Sequence, residues 1–186
     1  MAIHPYPAHL VSTWCAPDGS SVAIRPIRPE DAEIEREFVT SLSPAAKYMR
    51  FMSTLNELTP AMVAHFTQID YDREMALIAV VPEGAGERQI GVCRYAVDAD
   101  DLSCEFALVI AEPWQRRGLG RHLMERLIEV ARAQPETHER PDILCEHRDA
   151  RPCDEARIYA RGRSRRARCQ GSDAPLGAVM TQWGIG

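Results

Sequence analysis

The sequence predicts one α/β domain, and three observations carry that prediction. Two strand-like runs, Met75 to Val81 and Gln89 to Ala96, flank the turn-rich Pro82 to Gly86 and so form a hairpin. A third run, Ser103 to Ile110, is apolar on both faces, as expected of a central strand. Beyond it, from Gly118 to Arg132, apolar Leu119, Leu123, Leu127 and Ala131 recur every four residues while Arg121 and Glu125 pair on the other side, which defines an amphipathic helix.

The remaining elements follow in chain order. Residues 1–19 hold scattered Pro, His and Gly and form an N-terminal extension, ending in the tight-turn residues Pro17, Asp18 and Gly19. The first predicted strand is 21–27. Pro29, Glu30 and Asp31 then start a helix with acidic residues in its first turn, where they oppose the positive end of the helix dipole, and Ile34, Phe38 and Leu42 form its stripe. Ser43-Pro44 opens a second helix carrying Tyr48, Met49, Phe51 and Met52. Thr59-Pro60 opens a third with Met62, Val63 and Phe66. Asp98 to Asp101 makes a turn before the central strand. The compact domain spans 20–134, and 135–186 is an atypical, irregular segment.

Composition narrows the function classes. With 186 residues and 45% apolar side chains the chain can bury one core. No run approaches the ~18 apolar residues of a spanning helix and no leader pattern opens the chain, so a cytoplasmic protein without a membrane partner is expected. A net charge of −5 gives no general attraction to nucleic acid, leaving only local contacts with anions. The six cysteines show no metal-binding or paired spacing, so no metal is expected and the thiols are expected to be free. His65 and His122 lie on helical segments without a carboxylate or nucleophile at motif spacing, which suits core or surface roles.

The segment Gln115-Arg116-Arg117-Gly118-Leu119-Gly120 joins the central strand to the helix. Its backbone amides include the unsatisfied donors of a helix N-terminus, which bind anions. Gly118 and Gly120 permit close approach, while Arg116, Arg117 and Arg121 add positive charge, so a diphosphate fits. An ordinary strand-to-helix bend with solvated arginines fits the isolated motif as well. Neither a Walker A loop nor a Rossmann fingerprint is present, which argues against a nucleotide triphosphatase and a dehydrogenase.

The pattern Gln-x-x-Gly-x-Gly after a strand, in Glu105 to Met124, resembles the acyl-CoA loop of GNAT N-acetyltransferases. Similarity extends through Val22 to Asp31, Leu42-Ser43-Pro44, Tyr48 to Phe51 and Gln68 to Ala76, and over this span the chain resembles the GNAT domain of bacterial Pat-type protein-lysine acetyltransferases. The resemblance implies a mixed, mostly antiparallel sheet flanked by helices. It implies acetyl-CoA as co-substrate, an amine acceptor with protein lysine first and small amines second, and a cofactor site at Val109, Ile110, Gln115, Arg116, Arg117, Gly118, Leu119, Gly120 and Arg121. It also implies a backbone amide near Val109 and Ile110 that polarises the thioester carbonyl.

Glu105 is the one charge in the central strand. Loss of water there would raise its proton affinity and suit it to take a proton from an ammonium. A carboxylate at a strand end can instead pair with an arginine such as Arg94, and the residues alone leave both open. The resemblance favours catalysis, because Pat-type domains place their glutamate at this position. Strand alternation turns neighbouring Cys104 to the opposite face, so direct transfer is expected rather than an acyl-enzyme.

Residues 135–186 break the family's periodicity with nine arginines, eight acids and few large aliphatics. A nucleic-acid-binding arm is disfavoured because the acids nearly cancel the arginines. Cys145 to Ala167 can be back-translated with permitted synonymous codons so that a frame one base later gives ANIAMLALATKLGFTREADPDE, which looks like a GNAT ending. A frameshift near Gln134 is the resulting expectation. The fold would then be incomplete at its C-terminal end, with an apolar edge open to a second chain, including a homodimer partner, and the chain could act as a CoA-binding module without turnover.

Overall fold

The structure, a computed structural model, describes residues 4–51, 58–97, 103–133 and 159–161, with 48–51, 103–105 and 159–161 described by backbone alone. The strands are β1 (Ser12–Cys15), β2 (Ser21–Pro26), β3 (Glu74–Glu83), β4 (Gly86–Val97), β5 (Ser103–Ile110) and β6 (Tyr159–Arg161). They form one sheet in chain order, and each neighbouring pair is antiparallel. The helices are α1 (Ala32–Ser41), α2 (Pro44–Phe51), α3 (Pro60–Thr67) and α4 (Leu119–Ala133).

The central hairpin behaves as its pattern predicts. Met75 to Val81 are all buried, and the loop between β3 and β4 contracts to Gly84-Ala85, with Gly84 at φ 58°. Ile90 is an extra residue in β4, a bulge that shifts the register between Ala79 and Val80. Next to it, a side chain at Gly91 would place its Cβ 2.7 Å from Ile110 Cδ1 and 3.5 Å from Leu123 Cδ1, so a Cβ there would require the Ile110 side chain to shift where β5 and α4 converge on β4.

α4 packs across β3, β4 and β5. Leu119, Leu123 and Leu127 are fully buried, joined by Met124 and Val130, while Arg121 Nε donates to Glu125 Oε1 at 2.7 Å on the exposed side. Each such leucine contributes about 1.5–3 kcal/mol of apolar burial. α1 differs from expectation in one respect: Phe38 and Leu42 are buried as predicted, but Glu35 is buried too. Gln89 Nε2 donates a short hydrogen bond to Glu35 Oε2, supplying the partner that a buried carboxylate needs.

The turn from β2 into α1 is held by charge. Arg25 is buried and donates through Nη1 and Nη2 to both oxygens of Asp31, each at 2.7 Å, and through Nη2 to Glu87 Oε2 at 2.7 Å. Asp31 Oδ2 also accepts from the Arg28 amide at 2.7 Å. Burial pushes the Asp31 carboxyl up, but the Arg25 and Arg28 hydrogen bonds outweigh it and hold the group below its ordinary range.

A strand precedes the one predicted to be first. β1 pairs with β2 from Ser12↔Ile24 to Cys15↔Ser21, and the predicted turn between them closes through Ala16 N–H to Ser20 O at 2.8 Å, with Gly19 at φ 86°. Its alternation of half-buried and exposed residues is too short to stand out among the surrounding Pro and His. Tyr6 further ties the N-terminal stretch down, donating to Pro26 O at 3.2 Å and meeting Tyr71 edge-on at 6.0 Å.

Of the segment expected to be irregular, β6 alone lies within the described residues, pairing with Ser103 to Glu105. The predicted Asp98–Asp101 turn lies outside them. No described helix is long and apolar enough to cross a membrane.

Candidate active site

The site starts from the hydrogen-bond phase of β5. Ala111 N–H donates to Ile90 O at 2.8 Å, which makes Gly91↔Ile110 a non-hydrogen-bonded pair and Val92↔Val109 a hydrogen-bonded one. Val109 therefore spends its amide on β4, whereas Leu108 and Ile110 direct N–H and C=O toward the opposite edge. Among the described residues that edge is paired only at Ser103 to Glu105. Of the two residues expected to offer an amide, Ile110 has its amide on the open side. Leu108 joins it, a position that sequence alternation alone could not separate from Val109.

Gln115 serves this edge rather than pointing away from it. Its Nε2 donates to Ile110 O at 2.9 Å, so the loop's first residue satisfies the carbonyl that the ladder leaves over. Beyond it, Arg116 adopts φ 57° and Gly118 φ 92°, two left-handed residues that bend the backbone into α4. His122 N–H to Gly118 O, at 3.1 Å, is the first bond of the helix. The amides of Leu119, Gly120 and Arg121 consequently have no intrahelical acceptor and form the positive end of a 15-residue helix.

The two glycines do different work. A Cβ at Gly118 would meet nothing closer than Trp14 Cζ2 at 4.0 Å, so this position requires glycine for its φ alone. A Cβ at Gly120 would come to 3.3 Å from Leu108 Cδ2 and 3.5 Å from Ile110 Cγ1, so Gly120 lets the helix lie close on β5. Gly118→Ala is expected to cost about 1–2 kcal/mol of stability through left-handed strain. Urea unfolding measures this, with the slope of the transition unchanged.

The arginines are less available than their number suggests. Arg121 pairs with Glu125 as above, and Arg117 Nη1 lies 2.6 Å from Asp18 Oδ2 with its guanidinium carbon 5.2 Å from the centre of the Trp114 ring. Hydrogen bonding from Ser20, and then the charge of Arg117, hold the Asp18 carboxyl below its ordinary range, so it is ionised when it meets the arginine. The loop's attraction for an anion thus rests first on amides.

Trp14 of β1 stacks near His122 of α4, with ring centres 6.2 Å apart and an interplanar angle of 25°, so the β1–β2 hairpin borders the loop at Arg117 and the first turn of α4 at His122. Nothing in the sequence beyond the Pro17–Gly19 turn signalled that border.

Glu105 sits in β5 opposite Ala96 and, on the other side, opposite Tyr159; its side chain and that of Cys104 lie outside the described residues. Arg94, the alternative partner considered for it, donates to Phe66 O at 2.6 Å and lies over the Phe66 ring at 4.8 Å. Cys93 is buried, and that burial pushes its thiol well above its ordinary value, which makes it a packed side chain rather than a nucleophile. Among the described residues no group of His, Cys, Asp and Glu could hold a metal ion.

The chain belongs to the acetyltransferase (GNAT) family, whose pattern matches residues 44–146 and whose members use acetyl-CoA as co-substrate. It is 44% identical over 115 residues to the acetyltransferase PA5475 of Pseudomonas aeruginosa, an alignment covering 62% of this chain and 62% of that protein. In structure it is similar to the GNAT domain of S. lividans PAT, with a TM-score of 0.63 at 29% identity over 70% of this chain and 76% of that one.

Proposed function

We propose that this protein transfers an acetyl group from acetyl-CoA to an amine, with a protein lysine as the first acceptor class. The observation that carries this reading is the pairing of a helix start, Leu119 to Arg121, with the edge-directed amides of Leu108 and Ile110 on the adjoining strand, both without a backbone partner among the described residues. One end suits a diphosphate and the other a pantetheine arm and thioester, and both are entered along a single edge.

In this reaction a neutral amine attacks the thioester carbon, the C–N bond forms, and the C–S bond breaks as CoA thiolate leaves. Glu105 takes the ammonium proton, directly or through water, before attack. An edge amide of β5 donates to the carbonyl oxygen as negative charge develops there, and the thiolate regains a proton on departure. The lysine assignment is supported by likeness to Pat-type domains in Val22 to Asp31 and Gln68 to Ala76, and by the similarity to S. lividans PAT.

Release of CoA thiol from acetyl-CoA in the presence of a lysine peptide tests the reading. Thiol release that depends on the peptide supports it, and transfer to a small polyamine but not the peptide would reassign the acceptor. A second reading, a CoA-binding module without turnover, is favoured by the unpatterned composition of 135–186. Stabilisation by acetyl-CoA without thiol release selects it.

A further inference from the structure

We propose that Asp18, on the turn between β1 and β2, is a positioning residue for the cofactor loop: it holds the Arg117 guanidinium so that its remaining edge meets a phosphate of the incoming acyl-CoA. The inference rests on the acyl-CoA reading above and adds the N-terminal hairpin to the site.

Three contacts fix the geometry. Asp18 Oδ1 accepts from Ser20 N–H at 2.9 Å, which locks the carboxylate into the hairpin turn. Asp18 Oδ2 accepts from Arg117 Nη1 at 2.6 Å. One face of the guanidinium lies over Trp114, at 5.2 Å from the ring centre. With one nitrogen and one face engaged, Nη2 and Nε have no partner among the described residues. They form an edge that suits bidentate contact with a phosphate. Arg117 also directly precedes Gly118, and so belongs to the same loop that leads into the unsatisfied amides of α4.

The carboxylate has an opposing effect, because it carries the same sign as the ligand. The pair is part-exposed, with side-chain accessibilities of 39% for Arg117 and 48% for Asp18, so salt screens that repulsion. Orientation is not screened. A long arginine side chain loses much rotamer freedom on binding an anion, and Asp18 and Trp114 have already removed part of it. Asp18 therefore strengthens phosphate binding at physiological ionic strength.

Calorimetric titration of CoA into the full chain tests this with Asp18→Ala, Asp18→Asn, Arg117→Gln and the Asp18→Ala/Arg117→Gln double variant, thermal midpoints confirming that each is folded. Asp18→Ala is expected to weaken CoA binding roughly three- to fivefold, the scale of a well-oriented surface pair. Asp18→Asn keeps an acceptor oxygen for Arg117 and recovers most of that loss. In the Arg117→Gln background, Asp18→Ala adds nothing further, which a role confined to hairpin stability would not produce. Binding by Asp18→Ala as tight as wild type or tighter overturns the inference, since Asp18 would then be a competing counter-ion. Losses that add in the double variant overturn it as well. Failure of the wild-type chain to bind CoA rejects the underlying acyl-CoA reading, and that result appears before any variant is compared.

Discussion

Glu105→Gln is expected to lower the rate of acetyl transfer to a lysine peptide by about 100- to 10,000-fold, the range that a positioned general base supplies. The substitution keeps size and polarity but removes the proton acceptor. The KM for acetyl-CoA is expected to change little, because the proposed cofactor site is the loop and the β5 edge, beyond the paired segment Ser103 to Glu105. Steady-state thiol release over a range of acetyl-CoA concentrations separates the two parameters. Equal rates for variant and wild type would remove Glu105 from the mechanism, and a rise in KM alone would make it a cofactor contact.

Asp31→Ala is expected to cost about 3–5 kcal/mol of folding stability, the scale for breaking a buried pair by deleting one partner. Arg25 would remain buried with Glu87, 42% exposed in its side chain, as its remaining carboxylate partner, and the Arg28 amide would lose its acceptor. The same contact sets a pH dependence. The Asp31 carboxyl is depressed in the folded chain, so its contribution is fully present above the unfolded value near ~3.9 and is lost as pH falls through the lower native value. Urea midpoints measured from neutral pH down through this window should fall in wild type. The contribution of Asp31 to that fall should be missing in Asp31→Ala.

The sequence exposed most of what periodicity and turn chemistry control. The β3–β4 hairpin, the limits of β5 and the buried face of α4 follow from local pattern, because each pattern directly encodes which side chains leave water. The Gln115–Gly120 loop was legible for the same reason, being defined by adjacent residues. Long-range pairings were not. Asp18 and Arg117 stand 99 positions apart, and Glu35 and Gln89 stand 54 apart. No local spacing announces such contacts. Arg117, read as free charge, is engaged by a carboxylate on a distant hairpin, whereas the Arg121–Glu125 pair one helical turn apart followed from its spacing. The distinct tasks of Gly118 and Gly120 became visible only with the packing of α4 on β5, since one answers to φ and the other to Leu108 and Ile110.

The claim beneath the proposed chemistry is that the amides opening α4 grip a diphosphate. Following backbone amide proton and nitrogen resonances while titrating CoA tests it most directly. The proposal predicts saturable, downfield movement of the Leu119, Gly120 and Arg121 amide protons, with Ile110 also responding and 3′,5′-ADP, which has no pantetheine arm, leaving Ile110 unmoved. CoA that binds elsewhere, or saturates the chain without shifting the amides of 119–121, would contradict it.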